Sequence, residues 1–178
     1  MFDSPMFDGE AFGSLVLGVD PGIARLGLAV VGHRARQPVL VWADTVTTPV
    51  GMPEALRLRC VANAVREAIA AYRPSSVAVE RVAFNRNQVS ALTVARVTGA
   101  VMVVAAGAGL PVDEYSPTEV KSVVTGAGNA DKSQVRQALV RMHGLHDVPT
   151  QADAVDAVAI ALTHLTGARL RAAARSGA

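Results

Sequence analysis

Residues 17–32 read LGVDPGIARLGLAVVG, a stretch that is almost wholly apolar or glycine yet contains one carboxylate, Asp20, followed at once by Pro21-Gly22. Pro-Gly is a strong turn signal, and the apolar runs on either side have strand length. The stretch therefore predicts a buried strand over Leu15 to Asp20, a turn, and a second strand over Gly27 to Gly32. A carboxylate at the end of a buried strand calls for a reason, because burying a charge is costly unless something compensates it.

Working outward, Val39 to Thr47 predicts a third strand, and the short connections imply an antiparallel meander. Pro53 opens a helix whose apolar stripe is read as Leu56, Cys60, Ala64 and Ala68, with Pro74 just past its end. Ser76 to Glu80 (SVAVE) is a short apolar strand, and a helix over about Asn87 to Ala106 follows. Its Ala/Val face packs either a dimer or the domain core. Pro111 to Tyr115 is a fifth strand. Ser116-Pro117 has the N-cap and N1 chemistry of a helix start. After the glycine loop 125–129, Asp131 is expected to cap a helix to about Met142, and a last helix runs from near Thr150 to Thr166. The order is β-β-β-α-β-α-β-α-α-α, a mixed α/β chain with five strands.

Composition narrows the class. The chain has 178 residues, enough for one domain with a real core, and 51% are hydrophobic. The net charge of +2 says little about partners. A single cysteine, Cys60, excludes an internal disulfide framework and a CxxC zinc site, and suits a reducing cytoplasm. Residues 1–14 carry acids where a secretion signal needs bases, and are expected to be a loose, disordered extension. The folded domain is expected over 15–166. Residues 167–178, basic and alanine-rich, are expected to form a flexible tail. The apolar run near Val97 to Leu110 is too short and glycine-broken to span a membrane.

Acids stand in three places where polarity is not expected. Asp20 ends strand one, Glu80 ends strand four, and Asp153 and Asp156 open the last apolar helix in QADAVDAVAI. Taken singly, each has a plain explanation: a turn residue, a solvent-facing strand end, and complements to a helix dipole. Taken together they point elsewhere. If strands one and four are neighbours, Asp20 and Glu80 share a sheet edge. Residues three apart on a helix share a face. Four gathered carboxylates repel one another unless cations are present. An oxygen-only donor set with no nearby cysteine favours Mg²⁺ or Mn²⁺. Two such ions can activate a water and stabilise the leaving oxygen of a phosphodiester. The chemistry expected is metal-assisted hydrolysis of a nucleic-acid backbone.

LGVDPGIARLGLAVVG, VAVERVAF, YSPTEVKSVVTGAGNADKSQV and QADAVDAVAIALTH, in that order, resemble the RuvC family of bacterial Holliday-junction resolvases over roughly residues 15–166. The resemblance implies a ribonuclease H-like α/β fold with a mixed five-stranded sheet flanked by helices. It implies a cytoplasmic homodimer that cuts opposing strands of a four-way DNA junction symmetrically in recombination and repair, leaving 5′-phosphates. RuvA and RuvB would be its junction-migrating partners. By motif, Asp20, Glu80, Asp153 and Asp156 are the catalytic, metal-binding acids for two Mg²⁺, with Mn²⁺ as a substitute, and Asp20 lies between the ions.

Lys121 and Lys132 match the family's basic positions. They are the two lysines in a chain whose other fifteen basic residues are Arg, and they flank Gly126 and Gly128. A flexible loop with exposed amides between two ammonium groups suits DNA phosphates. Ser133 and Gln134 are candidates for further phosphate contacts. The family often carries an aromatic three residues after the strand-four acid. Here that position is Ala83, and Phe84 follows as a candidate junction wedge or, equally, a core or dimer contact. Arg81, Arg86 and Asn87 are candidate phosphate contacts beside it. His143, His146 and His164 are left out of the site, His164 because it lies about three helical turns beyond Asp153. Alternative readings are half of an actin-like sugar or acetate kinase, which needs a second domain and a second Asp-x-Gly loop, a YqgF-type nuclease, and a non-catalytic junction-binding module.

Overall fold

The structure, a computed structural model, describes residues 12–82 and 88–176, with side chains over 12–82 and 91–167. The strands are β1 (Val16–Asp20), β2 (Arg25–Arg34), β3 (Gln37–Thr47), β4 (Ser76–Glu80) and β5 (Val112–Tyr115). The helices are α1 (Glu54–Tyr72), α2 (Gln88–Gly107), α3 (Pro117–Thr125), α4 (Lys132–Arg141) and α5 (Ala152–Ser176). Their order is the expected one. The sheet runs β3-β2-β1-β4-β5, with β1 at its centre. β1, β2 and β3 form the antiparallel meander, and β4 and β5 add in parallel.

Strand alternation sends side chains to two cores. Leu17, Val19, Leu28, Val77 and Val79 face α1 and α2. Val16, Ala29, Val31 and Ala78 face α5 with α3 and α4. Asp20 and Glu80 share the parity of Val16 and Ala78, so they lie on the α5 side. On that side the sheet is built of small residues. A side chain at Gly18 would overlap the Ala157 carbonyl and Ala161, and one at Gly27 would overlap the Asp153 carbonyl. These glycines let α5 lie directly on the central strands, which carries its first turn to the end of β1.

Three sequence readings shift. The buried stripe of α1 is Val61, Ala64, Val65 and Ala68, whereas Leu56 is exposed and Cys60 half-buried. A strict four-residue ridge drifts about 40° per step around a helix of about 3.6 residues per turn, so Leu56 and Ala68 cannot both face one core. α5 continues to Ser176, past the expected end near Thr166 and through most of the expected tail. Within the expected extension, Phe12 packs against the α1–α2 core and takes the Arg34 guanidinium over its ring at 4.8 Å. The Gly13 amide donates to the His33 carbonyl. In α2, Val97, Val101 and Ala105 are core residues, while Leu92 and Val103 are exposed. Among the described residues, no helix is long and apolar enough to cross a membrane.

Candidate active site

Register places the strand acids. β1 and β4 pair in parallel with Val19 opposite Val79, so Asp20 and Glu80 follow as the next residues on adjacent strands. In the β1–β2 ladder Asp20 lies opposite Gly27, the residue against which the Asp153 backbone rests. Asp153 is in the first turn of α5, and Asp156 is three residues on, on the same face. The four predicted acids thus come from three elements to one end of the sheet.

Their electrostatics show that they act on one another. Asp20 is pushed from its ordinary 3.8 up to about 7, first by burial, then by the charges of Glu80, Asp156 and Asp153. Glu80 is also raised, by burial and then by Asp156, while Lys132 and Lys121 pull it back. Desolvation and like charge both oppose ionisation of a carboxylate.

The helix acids carry counter-charges. Arg25 Nε donates to Asp153 Oδ2 at 2.6 Å, and Lys132 Nζ donates to Asp156 Oδ2 at 2.7 Å. The bond to Asp156 holds the Lys132 ammonium above its usual range. Among the described residues, no three carboxylate, imidazole or thiol side chains form a finished metal cage. The donor chemistry still fits a hard divalent cation: four carboxylates, two of them half-buried at an electrostatic cost that a cation would remove.

Arg25 escaped the sequence reading. Its signal was parity. Two residues before Gly27 on β2, it sits on the α5 side beside the first turn of that helix.

The basic elements are set by their caps. Ser116 and Glu119 form a capping box that starts α3, and Asp131 and Gln134 form one that starts α4. Lys132 is the first residue of α4. The Gln134 side chain accepts from the Asp131 amide at 2.8 Å and is thereby committed to the cap, whereas Ser133 is exposed. The glycine loop is more built than expected. Thr125 Oγ1 donates to the Lys121 carbonyl at 2.8 Å, with the Ala127 carbonyl a second acceptor in reach at 3.0 Å, and accepts from the Ala127 amide; Gly126 takes φ +79°, and Gly128 packs on Thr118 and Ser122.

Arg81 donates to the Glu114 carbonyl at 3.1 Å and lies 4.0 Å from Glu119, half-exposed at the end of β4. Ala83, Phe84, Arg86 and Asn87 lie outside the described residues. His143 contacts the Val124 carbonyl, away from the acids. His164 lies at the middle of α5, buried, with Nε2 3.0 Å from Ser76 Oγ and Nδ1 3.0 Å from Tyr115 Oη. Ser76 opens β4 and Glu80 closes it, so His164 and the acids occupy opposite ends of that strand.

Comparison with known proteins follows the same outline. Residues 16–164 match the family "Crossover junction endodeoxyribonuclease RuvC". The Frankia alni protein of that name is 47% identical over 167 residues, covering 89% of this chain and 83% of its own. The Leifsonia xyli protein of that name is 42% identical over 164 residues, covering 92% and 79%. The Thermus thermophilus RuvC structure in complex with Holliday junction substrate superposes with a TM-score of 0.82 at 38% identity, covering 89% of this chain and 96% of that one.

Proposed function

The chain belongs to the family of the crossover junction endodeoxyribonuclease RuvC, and from that premise we propose that it resolves four-way DNA junctions by hydrolysing phosphodiesters at the Asp20, Glu80, Asp153 and Asp156 site. The observation that carries the site assignment is geometric: the β1–β4 register sets Asp20 beside Glu80, and the close contact at Gly27 seats the first turn of α5, with Asp153, at the same strand ends. Four acids from β1, β4 and α5 thus come to one end of the sheet.

These four residues would hold Mg²⁺, with Mn²⁺ as a substitute. Bound there, such ions would supply a polarised water and charge stabilisation at the leaving oxygen. The protein's part is to hold the acids in place. The paired strands fix Asp20 and Glu80 side by side, and the glycine-floored contact fixes the first turn of α5. Partial burial of Asp20 removes much of its hydration and strengthens the charge interactions around it. Lys132 bonds to Asp156 and the charge of Lys121 lowers the pKa of Glu80, and this nearness to the acids supports a role for both at backbone phosphates. Exposed Ser133 and Arg81 extend that surface, and Arg86 and Phe84, which lie outside the described residues, stay candidates from their motif for a phosphate contact and for the junction centre.

Two such sites in a homodimer account for paired cuts in opposing strands. RuvA and RuvB are the junction-migrating partners, and the cytoplasm is the working compartment. The kinase reading loses its support, because the family match covers the chain from β1 into α5.

The direct test incubates a synthetic four-way junction and a plain duplex with the purified protein and Mg²⁺ or Mn²⁺. Symmetric nicks in opposing strands of the junction, with 5′-phosphate ends and an intact duplex, are expected. Equal cutting of both substrates would identify a general nuclease, and binding with no cutting under either metal a non-catalytic module.

A further inference from the structure

The four acids of the site divide into two kinds. Among the described ion pairs, Asp153 and Asp156, both on α5, each carry one, and the strand acids Asp20 and Glu80 carry none. Lys132 was anticipated from its motif. Arg25 was not, and its position is specific. It opens β2, on the parity that faces α5, and the Asp20-to-Arg25 connection is drawn tight, since a side chain at Gly22 would overlap the Arg25 carbonyl. The Nε–Oδ2 bond to Asp153 is short at 2.6 Å. The Arg25 side chain is 54% exposed and that of Asp153 23% exposed. The guanidinium can therefore leave for water at little cost, and the carboxylate it covers belongs to the site.

We propose that Arg25 is an internal counter-ion that occupies Asp153 before metal enters and competes with a divalent cation for that carboxylate. The inference rests on the metal reading of the site. Asp153 has one oxygen engaged by Arg25, so a divalent ion that recruits Asp153 in full displaces the guanidinium to the rim of the site. Arg25 thereby sets how tightly metal is held. It is a positioning residue for Asp153 rather than a catalytic one.

The experiment measures Mn²⁺ binding alone, without DNA, from the loss of the free-ion paramagnetic resonance signal. It uses the full chain, Arg25→Gln, Arg25→Lys and, as a control for net charge, Arg81→Gln. An exposed ion pair is worth up to about 1 kcal/mol, so Arg25→Gln is expected to bind Mn²⁺ about two- to fivefold more tightly. Arg25→Lys should stay near the parent, and Arg81→Gln should change less than Arg25→Gln. Unchanged or weaker binding in Arg25→Gln overturns the counter-ion role while leaving the metal site standing. An equal gain in Arg81→Gln also overturns it, because a general field would then explain the effect. If the parent chain binds no Mn²⁺, the metal reading fails and this inference with it.

Discussion

Asp20 keeps its proton up to about pH 7 because burial and three neighbouring carboxylates oppose its charge. The unfolded chain releases that proton near 3.8, so between these values the folded state holds a proton that the unfolded state has lost. The associated stability is full below about pH 4 and drains away as pH rises through 7. Metal-free protein should therefore melt at a lower temperature at about pH 8 than at about pH 5, with Asp20 contributing at most about 2–3 kcal/mol to the difference. Asp20→Asn should raise the melting temperature at about pH 8 and flatten the pH dependence, which thermal denaturation by circular dichroism reads directly. A variant as pH-sensitive as the parent would mean that Asp20 is not the strained group. At the same scale, Lys121→Ala should weaken junction binding and lower the slope of log affinity against log salt by about one phosphate contact's share. An unchanged slope would remove Lys121 from the DNA surface.

The four acids were legible in the sequence because each stands where polarity is out of place: two after apolar strands, two in an apolar helix. Arg25 was not legible, because an arginine beside a turn looks like any solvated charge until parity and the docking of α5 put it on Asp153. The committed cap role of Gln134 was hidden for a similar reason, since a capping box satisfies it locally.

Among the elements, α5 decides whether the site exists. It lies on β1 and β2 across Gly18 and Gly27, where a methyl group would meet the backbone of Ala157 or Asp153. Backbone cannot yield as a flexible side chain does, so Gly18→Ala should cost about 1–3 kcal/mol and lift α5 from the sheet. Urea denaturation checks the stability, and loss of cleavage at temperatures where the variant is folded checks the placement of Asp153 and Asp156. A fully stable, fully active Gly18→Ala would contradict the close-approach account. Element order was readable from turn residues, caps and apolar periods. The stripe on α1 was misassigned because a four-residue repeat mimics a helix face over two turns and drifts off it over three. The length of α5 was missed because alanine-rich, basic sequence is compatible with both helix and tail.

For the whole molecule, the topology explains why residues so distant in sequence meet. A central β1 with β4 parallel to it brings two strand ends to one edge, and α5 returns to that edge from the far end of the chain. The overall charge gave no warning of DNA as a substrate, since +2 spread over the chain is nearly neutral. The information lies in where the few lysines fall. Paired cutting requires two sites, so light scattering should give twice the chain mass at concentrations that cut junctions. A species that cuts both strands as a monomer would contradict the homodimer.

Convergence of the acids on a divalent ion is tested most directly by two substitutions, Asp20→Asn and Asp156→Asn, each assayed for junction binding and for cleavage with Mg²⁺ or Mn²⁺. Binding should survive while cleavage falls by at least about 10³-fold in both. If both variants still cut at the parent's rate, the chemistry happens somewhere else on the protein.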